Sequence, residues 1–221
     1  MQQLEYIEKY SLPGEHPEAV VIWLHVLGAD YNDFVPLVPE LNLSKCVKFI
    51  FPNAPMRPIT INNGYVMRGW YDIYDLSTNI DTTTDFSGIE QSVAAINNLI
   101  QSQMAHGVNS EKIILAGFSQ GGVLSYTAGL LSEKPLGGII ALSCYLPGVD
   151  KIIANGAGNK QVPIFAAHGL HDPIVPYTGG IGAYQKLKQA GFNIQWHEYP
   201  MEHSLYNEEI SDLANWFNTV S

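Results

Sequence analysis

Apolar residues along this chain fall into short, nearly unbroken runs, and between the runs they recur at helical spacing. The segments Ala19–His25, Cys46–Phe51, Lys112–Gly117, Gly138–Leu142, Pro163–Ala167 and Asn193–Tyr199 predict strands. Most lack the in–out alternation of a half-exposed strand, which is the pattern of a parallel sheet covered on both faces. Ile89, Val93, Ile96, Ile100 and Met104 mark the core stripe of a helix from Ser87 to His106. Ser87-x-x-Glu90 reads as its capping box and Gly107 as its stop. A second helix follows Ser119 to about Ser132, ended by Pro135, and a third spans roughly Gly180–Ala190 with Gly191 at its end. The last helix carries Leu205, Ile210, Leu213, Trp216 and Phe217. Strand alternating with helix predicts a doubly wound, mostly parallel α/β sheet in one domain over residues 1–221.

One stretch resists this pattern. Pro52 to Asp85 holds three prolines and several Asn, together with Met67, Trp70, Tyr71, Ile73, Tyr74 and Leu76. It reads as a long irregular loop, and loops of that length inside a domain are usually functional. Two roles stand side by side: its apolar side chains cover the acyl part of a substrate, or they face the core as in an ordinary packed Ω-loop.

Composition narrows the partners. Lys and Arg number 11 against 21 Asp and Glu, a formal charge of −10. Phosphate binding needs a basic footprint, so nucleic acid is excluded, and electrostatic docking on anionic membranes is disfavoured. No apolar run approaches the ~20 residues of a membrane span. Met1 to Tyr6 carries neither a basic nor an apolar leader pattern, so a cytoplasmic protein is expected. Cys46 and Cys144 lie in or beside apolar strands and read as buried free thiols, consistent with a reducing compartment. His168 and His171 are the one pair with metal-like spacing, and without further ligands they predict no metal.

The chemistry lies where a strand meets a helix. Leu115-Ala-Gly-Phe-Ser-Gln-Gly-Gly122 contains Gly117-x-Ser119-x-Gly121, the spacing of a nucleophile elbow. With 20 glycines and 14 serines, chance supplies only about 0.1 such matches. An elbow serine needs an acid and a histidine downstream, in that order. Asp172 follows the strand Pro163–Ala167, and His203 follows the strand Asn193–Tyr199. Three residues after three strands thus gather at one sheet edge: Ser119 as nucleophile, His203 as base, and Asp172 to orient the imidazole.

Several motifs carry a resemblance beyond the elbow. They are Leu24-His25-x-Leu27-Gly28-Ala29-Asp30, Phe51-Pro52-Asn53-Ala54-Pro55, Arg57-Pro58-Ile59-Thr60, Trp70-Tyr71-Asp72 and Gly117-Phe118-Ser119-Gln120-Gly121-Gly122. Leu142-Ser143-x-Tyr145-Leu146-Pro147 and His168-Gly169-x-x-Asp172-x-x-Val175-Pro176 complete the set. In these the chain resembles the acyl-protein thioesterase/carboxylesterase (phospholipase/carboxylesterase) group of small α/β-hydrolases, over nearly its whole length. The resemblance implies an α/β-hydrolase fold without a large cap and hydrolysis of esters or thioesters with apolar acyl chains, with no metal or cofactor. It further implies a substrate such as a small ester, a lysophospholipid or an S-acylated protein, transient contact with a membrane or acylated protein, and a homodimer. Oxyanion donors are expected at the Leu27 and Gln120 N–H groups, and Trp70, Leu76 and Val175 beside the acyl chain.

One position departs from the pattern. The family carries His-Gly-Leu-Gly where this chain has His25-Val26-Leu27-Gly28. If the glycine adopts a left-handed or tightly packed conformation, Val26 misplaces the Leu27 N–H, and losing one donor costs ~10²–10³ in rate. That would leave an impaired acyl-chain binder. If the backbone there is ordinary, Val26 only reshapes the acyl pocket.

Overall fold

A computed structural model of the chain describes residues 4–75, 83–155 and 159–220. Among the described residues nine strands form, in chain order. They are β1 (Tyr6–Tyr10), β2 (Ala19–Leu24), β3 (Val47–Pro52), β4 (Met56–Ile59), β5 (Tyr65–Arg68), β6 (Ile113–Phe118), β7 (Gly138–Leu142), β8 (Ile164–Gly169) and β9 (Ile194–Tyr199). The helices are α1 (Leu37–Glu40), α2 (Phe86–Ala105), α3 (Gln120–Leu130), α4 (Val149–Ala154), α5 (Tyr177–Gln189) and α6 (Asn207–Val220). Seven strands make one sheet in the order β1-β3-β2-β6-β7-β8-β9, parallel throughout except for β1 against β3.

The apolar runs are unbroken because each strand feeds two cores. Val20, Ile22 and Leu24 of β2 pack into one, with Ile89 and Ile96 of α2 and Leu124 of α3. Val21 and Trp23 pack into the other, with Leu213, Trp216 and Phe217 of α6. Both faces being covered, both parities of the strand are apolar. Helix α3 is buried along its entire length, which accounts for apolar and small residues on all its sides.

Three elements differ from the sequence reading. Strand β1 (YIEKY) is half exposed and had no apolar run to announce it; it pairs antiparallel with the edge of β3. The stretch 52–85 is only partly irregular, since β4 and β5 pair as an antiparallel hairpin. The connection winds through a 3-10 turn at Thr60–Asn62 and closes on Asn63 and Gly64, both with positive φ (55° and 76°), which Asn and Gly tolerate. Helix α2 also starts earlier than expected. Asp85, not Ser87, caps it, its side chain accepting the Gly88 N–H at 2.9 Å.

The chain lays β3 to one side of β2, then returns to place β6 on the other side and builds outward to β9. The crevice beyond the C-terminal ends of β2 and β6 is therefore the topological switch point, where open α/β sheets bind ligands.

Candidate active site

Ser119 sits between β6 and α3 with φ 55° and ψ −119°, a strained backbone for a residue with a Cβ. The turn is sharp enough to need its glycines. A Cβ on Gly117 would lie 2.3 Å from the Gly121 carbonyl, and one on Gly121 would lie 2.2 Å from the Leu24 oxygen. Such contacts are with backbone and cannot be relieved by a rotamer change.

His203 and Asp172 arrive from the loops after β9 and β8. His203 Nδ1 is 2.7 Å from Asp172 Oδ2, and the Asp172 side chain is fully buried. The other carboxylate oxygen accepts the Ile174 and Val175 N–H groups, each at 2.8 Å. Three hydrogen bonds therefore hold Asp172 in one orientation. The ring of His203 meets that of Phe118, the residue before Ser119, edge-on at 4.8 Å between centroids. Gly169 permits this loop crossing, because a Cβ there would lie 2.4 Å from the Met201 carbonyl.

Ser119 and His203 open onto a cavity of about 300 Å³, at the small end of ligand pockets. Val26, Leu27, Gln120 and Val175 line it, with Ile61, Asn62, Tyr71, Ile73, Tyr145 and Ile174. The Tyr71 and Tyr145 hydroxyls lie 3.3 Å apart, and burial pushes the Tyr71 phenol well above its ordinary pKa, so both stay neutral hydrogen-bonding groups. Leu27 stands beside the elbow, and among the described residues its N–H makes no hydrogen bond, whereas Gly28 N–H donates to the Arg68 carbonyl. Gln120 opens α3, where the first N–H groups have no partner within the helix.

Three expectations need separate treatment. Trp70 is not beside the cavity: it is fully buried, its N–H donating to Gln120 Oε1 at 2.8 Å and its indole to the His25 carbonyl at 3.0 Å. Its ring was apolar enough to suggest an acyl contact, but these bonds turn it toward the frame behind the elbow. Leu76 lies outside the described residues. Val26 is not among the residues with positive φ; it lines the cavity and packs against the second core.

Two further histidines lie close to these residues. His168 Nε2 is 2.9 Å from the Val175 carbonyl and 3.6 Å from Asp172 Oδ2, and burial lowers its pKa. His25 is buried with both ring nitrogens engaged. Among the described residues no three His, Cys, Asp or Glu side chains gather as a metal site.

A family model described as phospholipase/carboxylesterase matches residues 7–221 of the chain. The chain belongs to this family. It is 35% identical to an acyl-protein thioesterase 1 of Debaryomyces hansenii, with 100% of this chain and 99% of that protein aligned. It is 39% identical to an acyl-protein thioesterase 1 of Emericella nidulans, with 91% of this chain and 90% of that protein aligned. The crystal structure of Arabidopsis thaliana SOBER1 superposes with a TM-score of 0.83 at 31% identity, covering 91% of this chain and 98% of that one. The fold is accordingly that of the α/β-hydrolases, with no large cap.

Proposed function

We propose that this chain is a serine hydrolase cleaving carboxylic esters and thioesters with apolar acyl chains through an acyl-enzyme on Ser119. One observation carries the reading: a strained elbow serine shares a cavity with a histidine whose far nitrogen is bound to a buried carboxylate. Relatives named as an acyl-protein thioesterase and as a carboxylesterase support the same class.

The residues act in sequence. His203 Nε2 takes the Ser119 proton as Oγ attacks the substrate carbonyl carbon. Asp172 accepts the Nδ1–H and stabilises the imidazolium that forms. The tetrahedral oxygen receives the Leu27 and Gln120 N–H groups. Collapse expels the alcohol or thiol, protonated by His203, and a water then repeats the cycle on the acyl-enzyme. The apolar walls at Val26, Ile73, Ile174 and Val175 take the acyl chain. An impaired binder is not favoured, since Val26 needs no left-handed backbone. Two buried free thiols, Cys46 and Cys144, support a cytoplasmic setting.

The test is kcat/KM for p-nitrophenyl esters from acetate to laurate, with fluorophosphonate labelling, for the native protein and Ser119→Ala. Turnover and labelling are expected for the native protein alone, with an optimum in chain length. Equal turnover by Ser119→Ala would remove Ser119 from the chemistry.

A further inference from the structure

Ser119, Asp172 and His203 account for proton transfer, but nothing in them explains why the Leu27 N–H should face the substrate. That N–H belongs to the Val26–Leu27 peptide, whose carbonyl has a partner of its own. His25 Nδ1 lies 2.7 Å from the Val26 oxygen. Its Nε2 is 2.9 Å from the Ala54 nitrogen, and a backbone N–H can only donate. Nε2 is therefore the acceptor, the ring proton sits on Nδ1, and Nδ1–H donates to the Val26 carbonyl. His25 is 2% exposed, and burial disfavours its charged form. Among its charged neighbours, Arg68 of β5 opposes protonation and Asp30 favours it.

A trans peptide directs its C=O and N–H to opposite sides, and the described chain has no cis bonds. Gripping the Val26 carbonyl from behind turns the Leu27 N–H forward, to the side on which Leu27 and Ser119 line the cavity. The Ala29 N–H adds a longer bond to the same carbonyl, 3.3 Å. Trp70 completes the frame: its indole holds the His25 carbonyl and its N–H holds the Gln120 side chain, so one residue braces both donor segments.

We propose that His25 is a positioning residue for acyl transfer, fixing the oxyanion donor of Leu27 through the Val26 carbonyl. The inference rests on the esterase reading above. Its side chain lies behind the Val26–Leu27 peptide, so its effect belongs to the transition state, where the oxyanion forms, and not to ground-state binding.

Two substitutions separate this role from a merely structural one. His25→Asn keeps a donor where Nδ1 stands and loses the acceptor for Ala54. His25→Gln keeps an acceptor near Nε2 and loses the grip on Val26. On p-nitrophenyl butyrate, His25→Gln should lose roughly 10²-fold in kcat with KM within about threefold, as for loss of one oxyanion donor. His25→Asn should retain kcat within about tenfold. Equal losses in both variants, or losses confined to KM, overturn the proposal. A second measurement needs no substitution: ¹⁵N spectra of the imidazoles in the native protein at pH 7 should show His25 protonated at Nδ1 and bare at Nε2. The opposite tautomer, or a cation, also overturns it. Native protein without Ser119-dependent turnover would instead remove the esterase reading itself, and the tautomer spectrum distinguishes the two failures.

Discussion

Glu209, in the first turn of α6, is fully buried, with Oε1 unpartnered among the described residues and Oε2 only 3.3 Å from the Tyr206 N–H. Burial, with the like charge of Asp212 adding to it, pushes its carboxyl up to about 8. A helix N-terminus favours a carboxylate by about 0.3–1 kcal/mol, too little to offset that burial. The sign of the consequence follows from where each state holds its proton. Below the ordinary glutamate value near 4.5 both folded and unfolded chains are protonated, and Glu209 imposes no penalty. Between 4.5 and about 8 the folded chain keeps a proton that the unfolded chain has released, so stability falls as pH rises, by about 1.4 kcal/mol per pH unit. At pH 7 the loss reaches about 3 kcal/mol, and above about 8 it is complete at roughly 5 kcal/mol. Glu209→Gln has the same shape and no charge, and the unpartnered position exists in both. The variant should therefore unfold about 3 kcal/mol harder at pH 7, roughly 6–12 °C in Tm for a chain of this size. Urea and thermal unfolding from pH 5 to 9, native against variant, reads the difference slope directly, since the other titrating groups cancel. Parallel pH profiles, or a variant less stable at pH 8 than the native protein, would refute the reasoning.

Three further outcomes test the site. Asp172→Asn should lower kcat by roughly 10³–10⁴ because an amide cannot hold the His203 tautomer, and unchanged pre-steady-state acylation would contradict that role. Gly121→Ala places a Cβ 2.2 Å from the Leu24 carbonyl, so it should cost about 1–3 kcal/mol in urea unfolding as well as activity. Val26→Gly should shift the chain-length optimum of p-nitrophenyl esters to longer acyl groups while leaving acetate turnover within about threefold. A tenfold rise on acetate would mean that the valine had held Leu27 out of place.

What the sequence could and could not reveal follows from which forces decide each feature. Strands β2, β6, β7 and β8 were legible because burial on both faces demands apolar residues at every position, a requirement visible without knowing the neighbours. Strand β1 was not, since its half-exposed residues become a strand only when the edge of β3 is there to pair with. The β4–β5 hairpin was obscured by Pro55 and Pro58, and its connection is a longer loop with a 3-10 turn at Thr60–Asn62, of which only the closing Asn63-Gly64 has turn composition. At the site, Ser119, Asp172 and His203 each follow a strand of the sheet, so chain order alone brings them to one edge. The walls of the cavity obey no such local rule. Ile61, Tyr71, Tyr145 and Ile174 come from four separate loops and meet only through packing, and the same packing turned Trp70 away from the substrate side. His25 is the clearest instance. As a letter after an apolar run it is one more strand-end histidine; its tautomer, and with it the direction of the Val26–Leu27 peptide, exists only once Ala54 arrives to donate to Nε2. Residue types that perform chemistry are thus fixed by their own place along the chain. Residues that aim the chemistry are fixed by partners distant in sequence, and those emerge only from the folded arrangement.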